Sequence, residues 1–173
     1  MGIIKKLDKS KLIVGFIYKD DAILEKVEDL LAKRFGPIDK ISPTFLFTHT
    51  KYYEKEMGDN LKRKFISFER LIAPEKIWII KLLSNKLETR FSSNENRTIN
   101  IDPGYLNLSK VVLLTTKDYT HRIYLGRGIF AEVTLAFKDN SFRPLDHTYP
   151  DYRSAEYIGL FNAIRETYKS QIM

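Results

Sequence analysis

The 173-residue sequence contains no cysteine. That absence excludes a disulfide scaffold, a thiol nucleophile and every cysteine-based zinc or iron–sulfur site. No segment approaches the roughly 20 apolar residues that a membrane-spanning helix needs. The run from Leu12 to Tyr18 is short and stops at Asp20–Asp21, which predicts a buried strand rather than the core of a signal peptide. Histidine occurs only 3 times. There is no H-x-x-x-H or H-x-H pair, so no metal centre is legible from spacing. Phosphate-binding fingerprints are missing too. Gly126-x-Gly128 lacks a third glycine and is followed by a strand pattern where a helix is required. Neither G-x-x-x-x-G-K-[ST] nor G-x-S-x-G occurs, so a P-loop NTPase, a Rossmann enzyme and an α/β-hydrolase are all without support.

What is present is an ordinary globular balance, with 43% hydrophobic and 29% charged residues, 10 Tyr and 11 Phe. Length and composition predict one domain over residues 1–173, large enough to bury a core, in a reducing, cytoplasmic setting. The net charge of +7 favours anionic partners, although a lysine-rich solvated surface gives the same number. The positives gather at Lys5, Lys6, Lys9 and Lys11 and again at Lys62, Arg63 and Lys64.

Along the chain, "KLIVGFIY" (11–18) reads as an interior strand. Asp20 or Asp21 caps a helix whose stripe is Ile23, Leu24, Val27, Leu30, Leu31 and Phe35, and "FGP" ends it. A second strand is expected within "IDKISPTFLFTHT", a short helical turn ending at Gly58 in "KYYEKEMGDN", and a strand in "LKRKFISFERLI" (61–72). Pro74 opens a helix with Ile77, Ile80, Leu83, Leu87 and Phe91 inward. "TINIDPG" reads as a strand ending in a tight turn at Asp102-Pro103-Gly104, and 105–116 suits either strand or short helix. A hairpin turns at Gly126-Arg127-Gly128, and Ser154 caps a last helix with Tyr157, Phe161, Ile164, Tyr168 and Ile172 on its stripe. The order β-α-β, β-α-β, hairpin, α predicts an α+β fold. Its mixed sheet would be covered by helices, with a ferredoxin-like βαββαβ core followed by a C-terminal hairpin and helix.

Chemistry concentrates in "KVVLLTTKDYTHRIYLGRGIFAEVTLAF" (110–137), where charges interrupt strand-like sequence. Hairpin register sets Leu125 opposite Ile129, Ile123 opposite Ala131 and Arg122 opposite Glu132. Ile123, Leu125, Ile129, Ala131, Val133, Leu135 and Phe137 then share the core face, and Arg122, Tyr124, Phe130, Glu132 and Thr134 the other. Arg122 and Glu132 form either an exposed cross-strand pair or one wall of a cleft that contacts an anion with Tyr124 and His121. Asp118 precedes His121 by three residues, a spacing at which a helical turn lets a carboxylate orient an imidazole base. Asp102 either belongs to its turn or projects into a site. "YYEKEM", near Lys62, Arg63 and Lys64, offers aromatic and basic groups for stacking and charge neutralisation, or a solvated loop. "YPDYR" offers the same mixture at a helix start.

Four strings, "YYEKEMG", "LKRKFISFERLI", "NIDPGYLNLSKVVLLTTKDYTHRIYLGRGIFAEVTL" and "YPDYRS", resemble in order the prokaryotic family catalogued as domain of unknown function 4416. The likeness runs from Leu12 to Tyr168. It implies a small cytoplasmic domain and transfers no catalytic residue. Members are sometimes labelled GTP-binding, while this sequence carries no GTPase motif.

Two functions are carried forward, with a structural or protein-interaction domain as the third. One is a binding module for a phosphate-rich ligand, nucleotide or RNA, through Tyr53, Lys62, Arg63, Lys117, Arg122 and Tyr124. The other is a cofactor-free or metal-assisted enzyme on a small anion, with Asp102, Asp118, His121 and Glu132 as catalytic candidates alongside Lys117 and Arg122. No cofactor is indicated.

Overall fold

A computed structural model describes residues 2–3 and 7–173. Lys5 and Lys6, half of the first basic cluster, lie outside the described residues. The interior strand β1 (Lys11–Tyr18) is buried at all eight positions, as the apolar run after Lys11 requires. Helix α1 (Asp21–Phe35) starts where the Asp20 carboxylate accepts the Ala22 N–H at 2.8 Å, and stops at Gly36, whose N–H donates to Ala32. Strands β2 (Ile38–Ile41) and β3 (Phe45–Leu46), the single turn α2 (Glu54–Met57) and strand β4 (Lys62–Phe68) follow. A 3-10 turn opened by Pro74 leads into α3 (Ile77–Arg90). Then come β5 (Ile99–Leu106), β6 (Lys110–Thr115), β7 (Ile123–Gly126), β8 (Ile129–Lys138), β9 (Ser141–Pro144) and α4 (Ala155–Ile172), the last capped by Ser154.

The strands form one nine-stranded sheet, β2-β4-β1-β5-β6-β8-β7, with β3 beside β4 and β9 beside β8. Every pairing is antiparallel, which corrects the expected mixed sheet. The reason is spatial order. The crossover through α1 delivers β2 to the far side of β4, and that through α3 delivers β5 to the far side of β1, so the strands joined by these two long helices are not neighbours.

The two faces of the sheet differ in kind. One presents Leu12, Val14, Phe16, Tyr18, Ile66, Phe68, Ile99 and Ile101 to α1 and α3. The other packs Ile13, Phe65, Leu106, Val111, Leu113 and Leu135 against Tyr157, Phe161, Ile164 and Tyr168 of α4. Alternation places Lys11, Arg63, Ser67, Asn100 and Asp102 on this second face, and all but the partly covered Asp102 are buried. Lys11 is held by Asp39 and by Gln171 (2.7 Å), and Asp39 also accepts from Ser67 (2.6 Å). Among the described residues no helix is long and apolar enough to cross a membrane.

Two local expectations are revised. Asp102-Pro103-Gly104 is not a turn, because β5 runs through it to Leu106 and pairs with β1 along its whole length. Residues 110–115 are strand. In the hairpin Ile123 lies opposite Ala131 as expected, but Gly126, not Leu125, pairs with Ile129. The face assignment fails for a second reason. The β6–β8 register shifts between Val111, paired with Leu135, and Val112, paired with Val133. The extra residue, Thr134, reverses the alternation, so Ile129 joins the α1/α3 core and Leu135 the α4 core. Ile123, expected in the core, is exposed.

β5 and β6 touch only over Gly104–Leu106 and Val111–Leu113. A Cβ at Gly104 would lie 2.3 Å from the Val112 carbonyl oxygen, so only glycine lets the strands meet there. Gly104→Ala should therefore cost about 2–3 kcal/mol by overpacking, read as a lower urea midpoint with an unchanged m-value.

Candidate functional site

Beyond Gly104 the sheet opens. From Ile99 to Pro103 the edge of β5 that faces away from β1 has no strand partner. Proline is tolerated at 103 because a missing N–H on an unpaired edge breaks no ladder bond. Ile101 on the same edge does need partners, and α3 supplies them. Glu88 Oε1 accepts its N–H at 2.6 Å, and Lys81 Nζ donates to its carbonyl at 2.9 Å. Between this strand edge and the end of β6 lies a cleft of about 1020 Å³.

Its floor is Arg63, only 2% exposed. Gly15, on the neighbouring strand, leaves the room: a Cβ there would lie 2.9 Å from the Phe65 ring and 3.1 Å from Arg63 Nη2. Arg63 donates to Tyr152 Oη (2.5 Å) and, at 3.3 Å, to Asp102 Oδ2, and its guanidinium lies 4.7 Å from the Phe65 ring centroid. Burial works against its charge, but Tyr152, Asp151 and Asp102 outweigh that and hold its pKa above the ordinary range. Asp102 Oδ2 also accepts from Asn100 (2.8 Å), while Oδ1 lies 3.7 Å from Lys81 Nζ. Burial raises the pKa of Glu88 against the pull of Lys81 and Arg97.

Arg97 forms one wall. It grips Glu56 through Nε–Oε1 (2.8 Å) and Nη2–Oε2 (2.7 Å), and donates from Nη1 to Asn100 Oδ1 at 2.9 Å. This fork, chiefly its side-chain hydrogen bonds, lowers the Glu56 pKa from its ordinary 4.5. At the lip, Lys117 Nζ donates to Tyr52 Oη at 2.6 Å and lies 4.0 Å from its ring centroid, and this hydrogen bond depresses the Tyr52 pKa. Tyr53 lies inside, edge-on to Phe47, with its hydroxyl pKa pushed up by burial.

The opposite wall carries Glu132, 4% exposed. Its Oε2 accepts from Arg122 Nε (2.8 Å) and meets His121 Nε2 at 3.1 Å, while Oε1 is buried without a partner. Arg122 also donates to Tyr149 Oη (2.8 Å) and to the Lys117 carbonyl (3.1 Å). The pair is therefore buried, and the small stabilisation typical of exposed ion pairs does not describe it. His121 stacks on His147 with centroids 4.1 Å apart, and His147 Nε2 bonds the Val133 carbonyl at 2.9 Å, so that nitrogen bears the proton.

Of the residues singled out in the sequence, Tyr53, Arg63, Asp102, Lys117, Arg122 and Glu132 line this one cleft. The expected catalytic group is not assembled as a unit. His121 and Glu132 touch, Asp102 bonds Arg63 and Asn100, and Lys117 bonds Tyr52. Asp118 is exposed, and His121 meets Glu132 instead. Lys62 pairs with Asp21 and Lys64 with Glu28, while Arg63 points to the other face, so the three form no basic patch. Tyr124 lies outside the cleft against Phe130. Among the described residues no group of three or more His, Asp or Glu is placed to hold a metal ion.

The sequence reading missed Lys81, Glu88 and Arg97. The signal was there for the first two: at the spacing of Ile77, Ile80 and Leu87 they fall on the inward stripe of α3, where only apolar positions had been counted.

A cleft with buried, shared charges at one end of an antiparallel α+β sheet defines a class of architecture and not yet a chemistry. The chain belongs to the family described as Domain of unknown function (DUF4416), whose model matches residues 8–168. No curated protein and no solved structure matches it.

The Glu56–Arg97 fork gives a pH-dependent prediction. A carboxyl whose folded pKa is depressed contributes stability above its unfolded pKa and loses it as pH falls through the folded value. Glu56→Gln should therefore be less stable than the native protein at pH 7. The gap should close as pH drops below 4.5, the ordinary value. Urea titrations from pH 7 to 3 check this.

Proposed function

We propose that the protein binds a small anionic ligand of nucleotide size in this cleft. The observation that carries the proposal is on the floor: two buried cations, Arg63 and Lys81, converge on a single carboxylate, Asp102, at 3.3 and 3.7 Å. That carboxylate is shared further with Asn100. A phosphate or carboxylate entering from the cleft would meet these two cations beside the carboxylate they share. It would do so where low dielectric strengthens the attraction. Phe47, Tyr52, Tyr53 and Tyr149 in the lining offer planar faces to an aromatic or sugar portion. The volume, about 1020 Å³, lies at the upper end for small-molecule sites.

The lining favours a small anion over an RNA strand. It carries Arg63, Lys81, Arg97, Lys117 and Arg122 against Glu88, Glu95, Asp102, Glu132 and Asp151, a formal balance of five and five. A channel that tracks a phosphate backbone needs an excess of cations. Cytoplasmic residence belongs to the same proposal. So does a ferredoxin-like description of β1, α1, β2, β4, α3 and β5, supported by their spatial order β2-β4-β1-β5 with antiparallel neighbours.

Thermal shift and calorimetric titration with nucleoside monophosphates and sugar phosphates test the reading. A ligand at 100 times its Kd adds about 2.7 kcal/mol, which for a chain of this size is a rise of roughly 5–10 °C in Tm. Lys81→Met should weaken that binding about 10- to 100-fold, the worth of one charged hydrogen bond. Tyr52→Ala, at the exposed lip, should weaken it while leaving the unliganded Tm nearly unchanged. No stabilisation by any of these compounds, or equal affinity in both variants, would overturn the proposal.

A further inference from the structure

The last strand of the sheet, β7, has one side paired to β8 and the other open. It reads Ile-Tyr-Leu-Gly and carries no charge. Its side chains stand out into solvent: Ile123 is 69% exposed, Tyr124 60% and Leu125 38%, with Tyr119 nearby at 64%. Natural edge strands are usually shielded by charge, proline or a covering element. The opposite end of the sheet follows that rule, since β2 carries Asp39 and the exposed Lys40.

We infer that β7 is the contact through which two copies of this chain pair, edge to edge and antiparallel about a two-fold axis near Tyr124. Three observations select a second copy as the occupant. The open edge offers backbone donors and acceptors, so its partner is an extended strand. An uncharged strand is self-complementary: in this register Tyr124 faces its own counterpart, and Ile123 faces Leu125 of the second copy. The four side chains leave on the order of 450 Å² per copy exposed, taking about 200 Å² for each large side chain. A two-fold contact that covers them approaches the roughly 1,000 Å² of a specific interface. An added peptide would instead draw specificity from pockets beside the edge, and Ile123, Tyr124 and Leu125 line none of the cleft. Pairing of β7 with β2, which would propagate into a filament, is opposed by the charges on β2. Arg122, the residue before β7, forms part of the cleft wall, so the contact would brace that wall from outside.

Sedimentation velocity over a 100-fold concentration range should show a species of twice the 20.3 kDa chain mass. Tyr124→Lys and Ile123→Lys should each return it to monomer with unchanged far-UV circular dichroism. Because the chain has no cysteine, Tyr124→Cys gives a second readout that does not depend on those variants. Mild oxidation should cross-link it to a dimer, while Lys33→Cys, on the exposed side of α1, should stay monomeric. A native protein that is monomeric at every concentration, a dimer indifferent to both lysine variants, or equal cross-linking at positions 124 and 33 would overturn the inference.

Discussion

Ile101 must satisfy its backbone N–H and carbonyl on an edge that no strand reaches, and the arrangement of the cleft follows from how it does so. An unpaired, buried peptide group costs a few kcal/mol. Helix α3 meets that cost by turning Glu88 and Lys81 inward, at 2.6 and 2.9 Å. Both side chains are ionisable, so closing the edge also brings charge to the floor of the gap. Lys81 then comes within 3.7 Å of Asp102, and Asp102 in turn holds Arg63. Had β6 continued alongside β5, a ladder of neutral hydrogen bonds would have filled the space, and neither the cleft nor its charged floor would exist. The close contact at Gly104 acts as the hinge of this opening, joining the strands on one side and releasing them on the other.

The elements whose local chemistry agrees with their tertiary role were legible in the sequence. The run 11–18 is a strand buried on both faces, Asp20 and Gly36 bound α1, Gly58 ends α2, and Ser154 caps α4. The failures share a cause. Asp-Pro-Gly looked like a turn because turn chemistry is local, whereas its place in mid-strand depends on β6 having diverged. The hairpin faces were misassigned because one extra residue, Thr134, reverses the alternation, and its partner strand lies some twenty positions away. Lys81 and Glu88 were missed because a polar residue on an inward stripe reads as a gap in the stripe until its partner on another element is known.

Net charge was similarly uninformative about the site. The +7 of the chain suggests a surface for polyanions, yet the cleft lining is balanced. Lys62 and Lys64 are spent on Asp21 and Glu28, while Arg63 between them faces the interior. Alternation along one strand divides three consecutive cations between two faces, so clustering in sequence does not become clustering in space.

The charges that interrupt the strands obey one rule across the molecule. Asp39 serves Lys11 and Ser67, Asp102 serves Arg63 and Asn100, and Glu132 serves Arg122 and His121. Each carboxylate is shared by two donors, which lowers the cost of burying it. At Asp39 the end of α4 closes the group, with Gln171 capping Lys11. At Glu132 the segment after β9 closes it, His147 and Thr148 taking the carbonyls of Val133 and Thr134 between β7 and β9. Asp102 is different. Its cations outnumber it, and the space above it is the cleft. Asp39 is closed off by its partners, whereas Asp102 and Glu132 both line the cleft.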